Sequence, residues 1–183
     1  MVLSGINIVI FAKRIFIHKT YKMTCEEIKF KIEVYDSIDD LNEEDAYLLR
    51  EARAVTQFAY APYSNFLVGA FAILINGKTV TGTNQENASF PAGICAERTL
   101  MSTASSLFPG VGIETIAISY NNVNGKSDTP ASPCGICRQS FAEFQERTKT
   151  PIRIILGGME GKVQIIENAK DLLPLVFGAD DMK

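Results

Sequence analysis

No stretch of the sequence approaches the ~20 consecutive apolar residues of a membrane-spanning helix. Basic residues are not in excess. Lys and Arg number 18 against 21 Asp and Glu, for a net charge of −3. That balance disfavours a polynucleotide partner, because binding to a phosphate backbone depends on Lys and Arg. Cysteine occurs four times in 183 residues, as Cys25, Cys95, Cys134 and Cys137. This is too few for a disulfide scaffold, and a chain of this length buries roughly 70% of its extended surface without one. Histidine occurs once, as His18. No internal repeat and no low-complexity segment interrupts the chain. No secretion signal is recognisable, since the apolar stretch 2–12 precedes a basic cluster, the reverse of a signal peptide. What is present is 46% hydrophobic and 21% charged residues, the balance of an ordinary soluble globule. One domain in the cytoplasm is the expectation.

The first 22 residues stand apart. They hold Lys13, Arg14, Lys19 and Lys22 and no acid, so they carry +4 and leave −7 on the remainder. An amphipathic anchor, a presequence poor in Ser, and sequence upstream of a start at Met23 are the three readings. The third is preferred, with no function assigned to 1–22 and a single domain over 23–183.

From Met23 the pattern is that of one α/β unit. Caps at 39–42 and the acids Glu43, Glu44 and Asp45 open a helix that Pro62 stops, with Leu48, Leu49, Ala52, Val55 and Ala59 at helical spacing. Residues 66–75 are apolar and β-prone. Asn76-Gly77 signals a two-residue hairpin, which brings 78–83 back antiparallel. A second helix is expected from near Cys95 to Leu107, and a strand over 113–120. Ser132-Pro133 reads as an N-cap and first-turn proline opening a third helix through Gln145. Strands follow at 152–156 and 163–166. The long polar loop 121–131 has the character of a cover. The order α-β-β-α-β-α-β-β predicts a three-layer α-β-α sandwich around one mixed sheet of about five strands.

Cys95-Ala96-Glu97-Arg98 and Pro133-Cys134-Gly135-Ile136-Cys137 carry the chemistry. Residues three apart share a helix face, so Cys134 and Cys137 can bind one ion. Cys95 opens another helix. Three thiolates from two helix starts supply three of the four tetrahedral positions around Zn²⁺, and helix N-termini favour thiolate over thiol. Leaving the fourth position to water makes a catalytic site. A structural site closed by Cys25 and a redox pair at Cys134/Cys137 are the competing readings, and otherwise Cys25 is a thiol without function. Glu97, beside the metal, is placed to move protons, and the alternative is a surface carboxylate in a helical ion pair. Three thiolates and Zn²⁺ sum to −1, so something must draw charge from the sulfurs. Two helix N-termini contribute. Arg98, three residues from Cys95, is expected as a donor behind the sulfurs, or else a solvated surface charge.

These residues resemble the zinc-dependent cytidine deaminases of the small, homotetrameric type. The likeness runs from about Pro62 to Phe177. It rests on Pro62-Tyr63-Ser64-Asn65-Phe66 with Val68-Gly69-Ala70, then Asn84-Gln85-Glu86-Asn87-Ala88, then the two cysteine segments, and last Leu172-Leu173-Pro174 with Phe177. The resemblance implies one Zn²⁺ per chain on Cys95, Cys134 and Cys137, with Glu97 as proton shuttle. It implies Asn84 and Glu86 at the ribose 3′-hydroxyl, Phe66 on the pyrimidine, and the Ala96 backbone at the base carbonyl. It further implies that Phe177 reaches a neighbouring subunit's site. The implied reaction is hydrolytic deamination of cytidine and 2′-deoxycytidine to uridine and 2′-deoxyuridine. Phe90 stands where many members carry Tyr, and 1–22 has no counterpart.

Three rival readings stay open. An editing enzyme for RNA or DNA would normally have His in the position of Cys95 and a basic surface. A deaminase of a related cytosine-containing small molecule is nearer. A non-catalytic, zinc-stabilised binding module would have no use for Glu97.

Overall fold

The structure, a computed structural model, describes residues 6–11, 14–19 and 23–183. The reading of 1–22 as a separate leader falls in part, at 1–5, 12–13 and 20–22, outside the described residues. Within it, only the antiparallel backbone pairing of β1 (Ile6–Phe11) with β2 (Arg14–Lys19) is described.

The remaining elements are β3 (Glu33–Tyr35), α1 (Glu43–Val55), β4 (Phe66–Leu74), β5 (Thr79–Thr83), α2 (Ala96–Leu107), β6 (Ile113–Asn122), α3 (Gly135–Thr148), β7 (Arg153–Gly158) and β8 (Val163–Ile166). Strands β3 to β8 form one mixed sheet in the order β3-β8-β7-β6-β4-β5, in which only β6 and β7 run parallel. α3 makes the crossover between that parallel pair. The sheet has six strands where about five were expected. The extra one, β3, is a three-residue edge strand against β8, too short to show an alternating pattern.

Helices cover both faces, as the three-layer reading requires. α1 lays Leu48, Leu49 and Ala52 on Phe71, Ala117, Ile155 and Ile165. α2 and α3 lay Leu100, Met101, Phe141 and Phe144 on the opposite face, against Ala70, Ala72, Ile116, Ile118, Ile154 and Leu156. A bidentate ion pair ties the start of α1 to β7, with Arg153 donating to Asp45 Oδ2 at 2.8 Å and to Oδ1 at 2.5 Å.

Local departures from the sequence pattern have local causes. Asn42 is the N-cap of α1, its Oδ1 accepting from the Asp45 N–H at 2.9 Å. The helix ends at Val55, passes through one 3₁₀ turn (Thr56–Phe58), and leaves Ala59 extended rather than helical. The next residue, Tyr60, donates its N–H to the Asn84 carbonyl at the edge of β5, and that pairing needs extended chain. Between the paired Leu74 and Lys78 the β4–β5 turn holds three residues, 75–77, not two. Leu74 pairs with Lys78 and only Gly77 takes a positive φ, of 75°. A two-residue type I′ turn would need positive φ at Asn76 as well. α3 opens at an extended Cys134 N-cap, two residues later than Ser132-Pro133 predicts. The Pro133 carbonyl instead accepts from Arg138 Nε at 2.9 Å.

Two glycines set the distance of the helices from the sheet. A Cβ on Gly82 of β5 would lie 2.4 Å from the Ala96 carbonyl oxygen and from the Leu100 nitrogen of α2. A Cβ on Gly69 of β4 would lie 2.4 Å from the Ala52 carbonyl oxygen of α1. The opposing atoms are backbone and cannot swing away. Gly69→Ala and Gly82→Ala are each expected to cost about 1–3 kcal/mol, the range for overpacking, read as a lowered denaturation midpoint. Gly82→Ala alone should also weaken retention of the metal described below, because it displaces the start of α2.

Candidate active site

Cys95 is the N-cap of α2 and Cys134 the N-cap of α3, both in extended backbone, and Cys137 lies in the first turn of α3. Because both helices rest on one face of the sheet, their starts converge. Cys95 Sγ and Cys134 Sγ are 3.9 Å apart, and Cys134 Sγ and Cys137 Sγ are 3.6 Å apart. All three sulfurs lie within 4.8 Å of one another. A tetrahedral zinc with Zn–S bonds of 2.3 Å sets sulfurs about 3.8 Å apart, so the donor set fits that ion. Cys137 is fully buried, Cys95 half-buried and Cys134 exposed, which leaves one side of the cluster open. Cys25 is exposed and outside the cluster, contrary to a site closed by a fourth cysteine.

The cluster shares one negative charge easily and three with difficulty. Hydrogen bonding from Cys137 draws the Cys95 thiol down to about 6. The hydrogen bond to Cys95 and burial push Cys137 the other way. A divalent cation would let all three ionise.

Glu97, in the first turn of α2, is buried. Burial raises its carboxyl above the usual range, partly offset by its own backbone N–H and the Cys137 thiol. It opens with Cys95 and Cys134 onto a cavity of about 460 Å³. Ala96, the first residue of α2, also lines this cavity.

The opposite wall comes from β4, β6 and the segment after β5. Asn65 takes the left-handed conformation, with φ 55°, and turns the chain into β4. Its neighbour Phe66 lies half-buried with its ring stacked on Tyr120 of β6, centroids 4.6 Å apart. The Asn84 side chain extends the sheet, with Oδ1 accepting from the Val68 N–H at 2.7 Å and Nδ2 donating to the Phe66 carbonyl at 2.9 Å. One donor and one acceptor position remain free on that amide. Glu86 Oε2 accepts from the N–H groups of Tyr63 and Ser64 at 2.8 and 3.3 Å. Hydrogen bonding from the Ser64 side chain and these amides holds the carboxyl below its ordinary value. At the mouth, Tyr63 and Phe90 meet edge to face. Ala131, the last residue of the polar loop 121–131, and Ser132 line one side, and the rest of that loop does not line the cavity.

Two residues singled out in the sequence lie outside this cavity. Arg98 lines a groove between α2 and α3 with Gln139 and Arg147, away from the cavity. Among the described residues no hydrogen bond joins it to a sulfur. Its charge lowers the Cys95 thiol only as the last of several influences. Phe177 is exposed beside α3, where its carbonyl accepts from Gln139 Nε2 at 2.8 Å. It does not line the cavity of its own chain. Tyr120 was read only as the end of a strand, and no sequence signal links it to Phe66 across 54 positions.

Cys95→Ala, Cys134→Ala and Cys137→Ala are each expected to lose stoichiometric zinc, measured by atomic absorption on purified protein. Cys25→Ala should retain it.

The description "Cytidine and deoxycytidylate deaminase zinc-binding region" belongs to a family model that matches residues 42–151. A cytidine deaminase of Halalkalibacterium halodurans is 37% identical over 135 residues, which cover 74% of this chain and 95% of that protein. A cytidine deaminase of Mycoplasma genitalium is 38% identical over 104 residues, 56% of this chain and 75% of that one. The crystal structure of the cytidine deaminase from Burkholderia pseudomallei superposes with a TM-score of 0.63 at 37% identity, covering 75% of this chain and all of that one. The match takes in the whole three-sulfur site and more than half of the chain, and the protein belongs to the cytidine and deoxycytidylate deaminase zinc-binding family.

Proposed function

We propose that the protein deaminates cytidine and 2′-deoxycytidine hydrolytically, giving the corresponding uridine and ammonia. One observation carries this reading: a buried carboxylate and two sulfurs of a three-sulfur cluster open together onto a cavity of about 460 Å³ whose other wall bears an aromatic ring, an amide and a fixed carboxylate.

Cys95, Cys134 and Cys137 would hold one Zn²⁺. Bound there, the ion supplies the Lewis acidity that makes water a nucleophile near neutral pH. Glu97 accepts the water's proton and delivers it to N3 of the cytosine, which leaves C4 electron-poor and open to attack by the water oxygen. Glu97 then carries the second proton to the amino group, the C4–N bond breaks and ammonia departs. Burial suits Glu97 to this work, because a carboxyl raised toward the working pH both takes and returns protons. The Ala96 N–H, in the first turn of α2 where N–H groups have no intrahelical partner, donates to the base carbonyl in this reading. The spare donor and acceptor of Asn84 and the carboxylate of Glu86 match one sugar hydroxyl. Phe66 offers its ring to the pyrimidine. No residue is assigned to the 2′-hydroxyl in this reading, so both nucleosides are expected to react.

The assembly we propose is a homotetramer in which Phe177 enters a neighbouring chain's cavity. Its support is the exposure of Leu175 and Phe177, 87% and 62%, beside α3. A nucleoside needs no polynucleotide groove, and no helix among the described residues is long and apolar enough to cross a membrane. Three thiols this close would oxidise in an oxidising compartment, which fits a cytoplasmic enzyme. Arg98 is assigned a long-range electrostatic role behind the sulfurs. The catalytic domain is 23–183, and 1–22 receives no function.

Cytidine absorbance should change to that of uridine with wild-type protein. Glu97→Gln should keep its zinc and lose about a hundredfold or more in kcat, the lower end for a positioned acid–base group. Failure of zinc-loaded wild type to convert either nucleoside would sink the proposal. Equal activity in Glu97→Gln would sink the role of Glu97. Phe177→Ala should raise KM and leave zinc content unchanged.

A further inference from the structure

Phe66 sits at the first residue of β4, directly after the left-handed Asn65. A ring at the end of a strand has few neighbours to fix its plane. Tyr120 supplies one. It stands opposite Val68 in the β4–β6 ladder, one diagonal step from Phe66 and on the same face of the sheet. The two rings are 13° from parallel. The other aromatic pairs, Tyr47 with Phe71 and Tyr63 with Phe90, meet at 85° and 73°. Tyr120 is 6% exposed whereas Phe66 is half-buried. The tyrosine is therefore the fixed member and the phenylalanine the one that reaches into the cavity, which both rings line together with Glu97 and Cys95.

A flat base gains most from an aromatic wall that already lies in the right plane, because no ring motion has to be frozen on binding. It also arrives with its reacting carbon at a set angle to the groups that act on it. Among the described residues the Tyr120 hydroxyl makes no hydrogen bond, so the ring rather than the hydroxyl carries the effect.

We propose that Tyr120 is a positioning residue for the substrate base: by stacking on Phe66 it fixes the plane in which a pyrimidine-sized ring lies relative to Glu97 and the three sulfurs. This assignment rests on the nucleoside-deaminase reading of the cavity.

The test is steady-state kinetics on cytidine with zinc-quantified wild type, Tyr120→Phe, Tyr120→Leu, Phe66→Leu and the double variant Phe66→Leu/Tyr120→Leu. Tyr120→Leu should raise KM by about three- to tenfold, the size of one aromatic pair, with a smaller change in kcat. Tyr120→Phe should restore wild-type KM. On the Phe66→Leu background, Tyr120→Leu should add nothing, because the residue acts through Phe66. An unchanged KM in Tyr120→Leu overturns the proposal, as does a full additional loss on the Phe66→Leu background. Loss of zinc or of a cooperative unfolding transition in Tyr120→Leu makes Tyr120 a packing residue and overturns it too. An inactive, zinc-loaded wild type is a separate result that removes the deaminase reading and this assignment together.

Discussion

Three sulfurs within 4.8 Å of one another impose the constraint on which the site depends. Two unit charges at about 4 Å repel by about 4 kcal/mol at an effective dielectric of 20. Three thiolates do not gather by themselves, so the fold must hold them together and a cation must neutralise them. The holding is done by two helix starts on one sheet face. α2 is seated by the close approach at Gly82, and α3 by Phe141 and Phe144 in the core. Both helices then point N-terminal N–H groups, the positive end of each helix dipole, toward the sulfurs. The same arrangement places Glu97 in the first turn of α2, buried at the cavity wall beside the sulfurs.

The two helical layers of the sandwich divide their tasks. The cavity takes its lining from β4, β6, the segment after β5, and the segments that open α2 and α3, and none from α1. α1 secures the opposite face through Leu48, Leu49 and Ala52, and through the Asp45–Arg153 pair to β7. β4 and β6 bridge the two. They carry core residues on both faces, and at their cavity ends they carry Phe66 and Tyr120. The aromatic wall is thus as rigid as the sheet, while Tyr63 and Phe90 at the mouth stay exposed.

Much of this was legible in the residues. Asn42 with three acids after it announces the start of α1. The β-prone run from Phe66, the Asn76-Gly77 turn and the strand Val163–Ile166 were readable because alternation and turn chemistry act over a few neighbours. The failures have the same logic. β3 has three residues, too few to show a period. α1 was read through Ala59 because helical spacing continues there, but Tyr60 is drawn into pairing with Asn84. The Ser132-Pro133 signal for α3 was overridden when Arg138 took the Pro133 carbonyl.

The sequence by itself determined the chemistry: three thiols, a carboxylate two residues from one of them, and an amide and acid pair at Asn84 and Glu86. These are legible because a metal centre and a proton carrier demand particular residue types at short spacing. Tertiary structure alone decided which of them meet. It excluded Cys25 from the cluster and turned Arg98 into the groove between α2 and α3. It carried Phe177 out of its own chain's cavity and brought Tyr120 under Phe66. Those outcomes depend on strand register and on how closely the helices approach the sheet, and both are set by the packing of residues far apart in the chain, which no local pattern encodes.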